Sequence, residues 1–191
     1  MTTGQDDAAL LARVVEGDHE AFTVLMHRHE NRVFAVCLRL MGNRSSALDA
    51  TQETFLALYR KASQYRGTAA VGTWLYRIAI NTCYDLLRKE RRRPVESMPD
   101  YLDPADPMAE DSYASVELRP AVEAALSALT PEFRAVVVLA DIQGMGLPEV
   151  ASVLEVPIGT VKSRLFRARR QLAASLGNLS DGSGHPKQAG T

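Results

Sequence analysis

The side chains with the clearest chemistry lie near the C-terminus, on the second of two predicted helices joined by a short turn. A hydrophobic stripe along this second helix is formed by Val161, Leu165, Ala168 and Leu172. The remaining side chains offer cations, hydroxyls and one exposed aromatic ring, and they are Thr160, Lys162, Ser163, Arg164, Phe166 and Arg167. Groups of this kind bind phosphates and base edges, and a helix-turn-helix places them in the DNA major groove. The pattern therefore predicts duplex DNA recognition.

A second group of polar and aromatic side chains surrounds the segment 63–73, which has two glycines and no hydrophobic period. We expect a loop there, followed by a long helix that starts at Trp74 and is capped by Thr73. Along one face of this helix lie Arg77, Asn81, Tyr84 and Arg88, at spacings of three and four. The loop contributes further groups that bond or stack with nucleic acid, namely Gln64, Tyr65, Arg66 and Thr68. The combination favours DNA contact over a merely solvated helix end.

A third candidate surface lies on the helix predicted over residues 46–61, with Ser46 and Asp49 at capping-box spacing. Its inward side is expected to carry Leu48, Phe55, Leu58 and Tyr59. The opposite side shows Asp49, Gln52 and Glu53. Periodicity alone leaves two interpretations open, a solvated face with acids near the helix N-terminus or a polar docking surface for a partner.

Neither a metal site nor a catalytic set is predicted. Cys37 and Cys83 each sit inside a hydrophobic helical pattern, which is typical of buried thiols. His27 and His29 flank the hydrophobic stripe of the second predicted helix, without a catalytic partner in view. We therefore expect no cofactor, no metal and no enzymatic activity.

The helices that carry these residues predict an all-α protein. The chain is 46% hydrophobic and 24% charged, as in a globular protein. No apolar run approaches the roughly 18 residues that span a bilayer, and the N-terminus is polar and acidic. We therefore expect a cytoplasmic protein without membrane insertion.

The formal charge of −1 conceals a basic, acidic and basic arrangement along the chain. The net charge is +4 over residues 1–93, −6 over 94–119 and +1 over 120–176. Because local fields govern association with a polyanion, the overall charge does not argue against DNA binding.

The acidic segment, which also holds four prolines, is predicted to be a flexible linker between two small helical domains. As a free coil its 26 residues would span roughly 28 Å, against roughly 85 Å when stretched. The predicted organisation is a first domain over 1–93, a linker over 94–119, a helix-turn-helix domain over 120–176 and a disordered tail over 177–191.

Three motifs in series make the chain resemble the extracytoplasmic-function sigma factors, the smallest bacterial sigma-70-type initiation factors. They are QETF at 52–55, YRG at 65–67 followed by TWLYRIA at 73–79 with Asn81, and GTVKSRLFRAR at 159–169. The family pattern often has an Asp where this chain has Ser46, and an aromatic–basic pair where it has Val71 and Gly72. The second departure removes one cation and one aromatic ring, which bears on the strength or specificity of promoter melting rather than on the resemblance.

The resemblance implies a sigma factor whose partners are core RNA polymerase, promoter DNA and an anti-sigma factor. It implies polymerase docking through Asp49, Gln52 and Glu53. It implies melting and reading of the minus-ten element through Tyr65, Arg66, Thr73, Arg77, Asn81 and Arg88. The final helix would read the minus-thirty-five element through Thr160, Lys162, Ser163, Arg164, Phe166 and Arg167. The linker would also shield basic surfaces in the free protein.

Two other interpretations fit parts of the sequence. A stand-alone helix-turn-helix regulator would bind duplex operators by itself and would not need the surface between Arg66 and Arg88. A sigma-like decoy would hold the polymerase without melting DNA.

Overall fold

The computed structural model describes residues 6–92 and 113–181, with side chains described for 6–92 and 120–177. Its helices are α1 (Asp7–Val15), α2 (His19–Met41), α3 (Arg44–Lys61), α4 (Val71–Arg92), α5 (Tyr113–Ala128), α6 (Pro131–Val137), α7 (Leu147–Leu154) and α8 (Ile158–Asp181). A 3-10 turn follows α3 at Ala62–Gln64, and a π-helical turn follows α6 at Val138–Ile142. These two ranges contain no β-strand, which confirms the all-α prediction. They also contain no helix with both the length and the apolar character that a bilayer crossing requires.

Helix α2 is the centre of the first helical domain, with α1, α3 and α4 packed around it. Asp18 caps its start by accepting the N–H bonds of Glu20 and Ala21, and Gly42 ends it in the left-handed conformation at φ 78°. The core side chains are fully buried, among them Leu25 and Leu40. Burial of each such leucine stabilises the fold by about 1.5–3 kcal/mol. The buried hydrophobic stripe of α2 therefore orients all three neighbouring helices.

Helix α3 begins two residues earlier than expected, and the predicted capping box is wrong. Asn43 is the N-cap, since its side-chain oxygen accepts the Ser46 N–H at 2.7 Å. The Ser46 hydroxyl donates instead to Glu90 on α4, at 3.1 Å. Leu48 was expected in the core but is 44% exposed, because the helix turns Ala47 and Ala50 inward.

Helix α4 starts at Val71 rather than Trp74, and Thr73 is not its cap. Val71 and Thr73 are both buried inside the first turn. The two residues before Trp74 lack a hydrophobic period of their own, so the sequence pattern placed the helix start too late.

The second helical domain is formed by α5 to α8, and two of its predicted boundaries are wrong. Helix α5 starts at Tyr113 rather than near Pro120, which lies inside the helix. Helix α8 continues to Asp181, past the predicted start of the tail at Gly177. Most residues of both extensions are compatible with a helix. A single glycine lowers helix stability by only about 1 kcal/mol relative to alanine. Residues 93–112 and 182–191, which hold most of the predicted linker and tail, lie outside the described residues.

The cap at Asp18 predicts a dependence of stability on pH. The Ala21 N–H bond and the Arg13 guanidinium hold the pKa of the Asp18 carboxyl below its ordinary value of 3.8. Because this pKa is lower in the folded state than in the unfolded state, the carboxylate stabilises the fold at pH values above the unfolded-state pKa. That stabilisation is lost as the pH falls through the folded-state pKa. We expect the melting temperature of Asp18→Asn to lie below that of the wild type at pH 7 and to approach it at pH 3. Circular dichroism melts over this range measure the effect, with Glu16→Gln as the control; parallel profiles for wild type and Asp18→Asn would contradict it.

Candidate nucleic-acid interface

A cavity of about 130 Å³ opens beside the start of α4. It is lined by Gln64, Tyr65, Arg66, Thr68, Ala69, Trp74 and Arg77. The Tyr65 hydroxyl donates to the Ala69 carbonyl at 2.6 Å, and the Tyr65 and Trp74 rings lie 5.4 Å apart at a tilt of 50°. One water needs only roughly 15 Å³, so the cavity has room for a larger group. Two rings with amide, hydroxyl and guanidinium groups suit a stacked, unpaired base.

The predicted minus-ten residues divide into three groups in the structure. Tyr65, Arg66 and Arg77 line the cavity. Asn81 and Arg88 are exposed further along α4, where Arg88 pairs with Asp85. Thr73 is buried, and its hydroxyl donates to a carboxylate of the second domain.

The end of α4 adds a basic cleft of about 500 Å³, lined by Asp85, Arg88, Lys89 and Arg92. The cleft is contiguous in sequence with the exposed face that carries Asn81. Its three cations against one acid suit a phosphate backbone better than a neutral ligand.

Trp74 is a cavity residue that the sequence interpretation assigned to the core. Helical periodicity places it on the core side, and it is indeed partly buried. Its position directly after a polar aromatic loop was the available indication of a second role, since one ring face can pack inward while the other remains available to a base.

Helix α8 presents the predicted duplex-binding face to solvent. Val161, Leu165 and Ala168 are buried as expected. Lys162, Ser163, Phe166 and Arg167 are exposed, whereas Thr160 and Arg164 are partly buried. Phe166 is 63% exposed, with the Arg170 guanidinium 5.9 Å from its ring centre.

A two-point ion pair joins α8 to the π-helical turn that follows α6. The Arg169 Nε and Nη2 atoms donate to the two carboxylate oxygens of Asp141, at 3.1 and 2.6 Å. The bonds to Asp141 also raise the pKa of the Arg169 guanidinium. Because the Arg169 guanidinium is paired with Asp141, the side chains of α8 that remain available to DNA are the other exposed ones.

The third predicted surface, on α3, is exposed as a whole. Asp49, Gln52 and Glu53 all face solvent, on the side opposite the buried Ala47 and Ala50. Leu56, which the sequence interpretation missed, lies among them and is 47% exposed. The face therefore combines acids with an exposed aliphatic side chain, a composition suited to a protein partner.

The candidate ligands outside these surfaces are structural. Cys37 and Cys83 are fully buried free thiols, as predicted. His29 is bonded to Asp7, with Nε2 and the carboxylate 2.7 Å apart, and His27 pairs with Glu30. No group of three metal-ligating side chains occurs in the part of the chain that the structure describes.

Comparison with known families defines the class of protein. Residues 25–93 match the family described as Sigma-70 region 2, and residues 119–172 match Sigma-70, region 4. The cavity and α4 lie in the first match and the helix-turn-helix lies in the second, which is the order found in sigma-70-type initiation factors.

Comparison with individual relatives identifies the group of sigma-70-type factors to which the chain belongs. The chain is 40% identical to the ECF RNA polymerase sigma factor SigM of Mycobacterium tuberculosis, over 93% of this chain and 88% of that protein. It is 34% identical to the ECF RNA polymerase sigma-E factor of Haemophilus influenzae, over 87% and 93%. The solved sigma factor RpoE of Bartonella quintana, in complex with the anti-sigma factor NepR, has 25% identity and a TM-score of 0.67, over 82% and 96%. The chain therefore belongs to the extracytoplasmic-function RNA polymerase sigma factors, and its function is promoter-specific transcription initiation.

Proposed function

We propose that the two helical domains divide promoter recognition between them. The domain formed by α1 to α4 reads and melts the minus-ten element, and the domain formed by α5 to α8 reads the minus-thirty-five element. The segment between α4 and α5 acts as the connector. The cavity beside α4 is the single observation that carries the proposal, because duplex binding alone would not need a ring-lined pocket.

In the proposed mechanism an unpaired minus-ten base enters the cavity and stacks on Tyr65 or Trp74. Unstacking a base costs a few kcal/mol, and stacking on an aromatic side chain returns about 1–3 kcal/mol. Arg66 and Arg77 supply cations, and Asn81 and Arg88 continue the contact along the strand. The trapped base then holds the melted DNA open.

Helix α8 supplies the duplex reader. Lys162, Ser163, Phe166 and Arg167 would contact base edges, with Phe166 against a thymine methyl or a sugar. Thr160 and Arg164, at the rim of the exposed face, would contact the backbone. Base contacts select the upstream element, while phosphate contacts fix the register.

The polymerase performs the chemistry in this scheme, so the chain itself needs neither a cofactor nor catalytic groups. Core RNA polymerase docks on α3 through Asp49, Gln52 and Glu53. An anti-sigma factor is a further partner, as for the Bartonella quintana sigma factor. The place of action is the cytoplasm, where the promoter and the polymerase are.

Transcription with purified core polymerase tests the proposal. Promoter-specific transcripts should form when the protein is added and be absent without it. If the protein bound a duplex site by itself and left polymerase specificity unchanged, the stand-alone regulator would be the better interpretation. Polymerase binding without DNA opening would favour the decoy.

Charge reversal on α3 is expected to weaken polymerase binding. Asp49→Lys with Glu53→Lys replaces two exposed acids by cations, and like charges at a docking surface weaken association strongly. We expect the affinity for core polymerase to fall at least about tenfold while the melting temperature changes little, since surface charges contribute little to stability. Titration with labelled core enzyme measures this. Glu16→Lys with Glu20→Lys is the matched control on another face, and an equal loss for both pairs would contradict the assignment.

A further inference from the structure

The elements that form the cavity beside α4 pack against α1 and against one side chain of α2. Helix α1 contacts both the 3-10 turn at Ala62–Gln64 and α4. Gln64 of this turn and Trp74 of α4 line the cavity. From α2, the His29 ring lies beside Gly72 in the first turn of α4, since a Cβ atom at Gly72 would lie 3.6 Å from His29 Cε1. The turn and α4 therefore share α1 as a neighbour, and α4 also packs on His29.

The His29 ring is held in place by the first residue of α1. Its Nε2 atom lies 2.7 Å from Asp7 Oδ2, and the His29 side chain is only 12% exposed. Asp7 also pairs with Arg28, the neighbour of His29 on α2. Burial raises the pKa of the Asp7 carboxyl, but the hydrogen bonds and charges of His29 and Arg28 outweigh burial and hold this pKa below its ordinary value of 3.8. The ionised carboxylate is therefore a constant hydrogen-bond partner for the ring at neutral pH.

Gly72 makes the first turn of α4 dependent on this ring. Glycine is less favourable than alanine inside a helix, and it has no side chain with which to pack. The His29 ring fills the space beside it from another helix. Trp74 follows two residues later; its N–H donates to the Ala70 carbonyl at 3.0 Å, and its ring centre lies 5.4 Å from that of Tyr65. A displaced first turn would therefore move one of the two rings of the cavity.

We propose that His29, held by Asp7, is a positioning residue for the base-binding cavity. It sets the first turn of α4 and thereby the arrangement of the Trp74 and Tyr65 rings, while its low exposure keeps it from stacking on a base itself. A site whose rings are fixed beforehand loses less conformational freedom when a base binds, so its affinity for an unpaired base is higher. The inference rests on the proposed role of the cavity and adds the residues that preorganise it.

The fluorescence of Trp74, the only tryptophan of the chain, reports the state of the cavity in the full-length protein. His29→Ala removes the ring and its bond to Asp7. We expect the Trp74 emission to shift to longer wavelength, because the indole becomes more exposed to water. In complexes with core polymerase, the permanganate reactivity of minus-ten thymines should fall about tenfold, since part of the stacking contribution is lost. The affinity for core polymerase, measured by titration, should not change.

Two further variants separate positioning from a loss of folding. Asp7→Ala removes the hydrogen-bond partner and leaves the ring, so it should shift the Trp74 emission in the same direction. It tests the proposal if His29→Ala does not fold. His29→Gln keeps an N–H donor for Asp7 and fills part of the space of the ring. It should return both the emission and the promoter opening toward the wild-type values.

His27→Ala is the matched control. His27 lies on the same helix and also pairs with a carboxylate, that of Glu30, but its side chain is 64% exposed. The substitution should change neither the Trp74 emission nor promoter opening. Unchanged emission in both His29→Ala and Asp7→Ala, or an equal shift for His27→Ala, would overturn the proposal and leave the proposed function standing. Normal opening by a variant whose emission is shifted would instead refute the cavity as the base site, and with it the proposed function.

Discussion

Replacing Tyr65 with Ala is expected to reduce promoter opening ten- to a hundredfold, because one aromatic stacking contact contributes about 1–3 kcal/mol per base. The substitution removes a ring of the cavity together with the bond that holds Ala69 in place. Polymerase binding should persist, since Tyr65 is not among the exposed α3 residues assigned to docking, Asp49, Gln52 and Glu53. Permanganate reactivity of minus-ten thymines in complexes with core polymerase measures the opening.

Tyr65→Phe is the matched variant for this prediction. It keeps the stacking ring and loses only the hydrogen bond to Ala69, so opening should fall by no more than roughly tenfold. A normal circular dichroism spectrum for Tyr65→Ala shows that the domain is folded. Equal opening by Tyr65→Ala and the wild type would refute the cavity as the base site.

Replacing Lys162 and Arg167 with Ala is expected to remove minus-thirty-five selection. Each specific base contact contributes about 1–3 kcal/mol, so the pair should reduce transcription from a two-element promoter by about a hundredfold or more. Both side chains are exposed and neither supports the core, which is built from Val161, Leu165 and Ala168. The fold and the affinity for polymerase should remain unchanged. Run-off transcription and polymerase titration measure the two effects.

The promoter provides the control for this second prediction. Scrambling the minus-thirty-five block should reduce wild-type transcription to the level of the double variant and should not affect the double variant further. If scrambling reduced both proteins by the same factor, α8 would not be the reader of that block.

Helices with a strong hydrophobic pattern could be predicted from the sequence. The bounds of α2 follow from a long hydrophobic stripe between Asp18 and Gly42, both of which act as predicted. The stripe on α8 is also as predicted, because three- and four-residue spacing specifies a buried face wherever the helix packs on one side only.

Boundaries with weak local patterns could not be predicted. Ser46 and Asn43 are both good caps, and only the structure shows that Asn43 accepts the bond. Pro120 resembles a helix start, yet α5 continues through it. In each case several residues offered similar local energies, and tertiary packing decided among them.

The candidate site was predicted in part for a related reason. Tyr65, Arg66 and Arg77 meet around one cavity, as their positions near one loop suggest. The bond from Thr73 to Glu149 joins residues that lie 76 positions apart. No periodicity in either segment encodes that contact, so it becomes visible only in three dimensions.

Selection of binding sites from a randomised promoter library, with core polymerase and this protein together, tests the central claim most directly. The predicted result is two separate enriched blocks, one upstream and one at the melted region. With Lys162→Ala and Arg167→Ala only the downstream block should remain, and with Tyr65→Ala the downstream block should weaken. A single palindromic block that is enriched equally without polymerase would contradict a two-reader initiation factor.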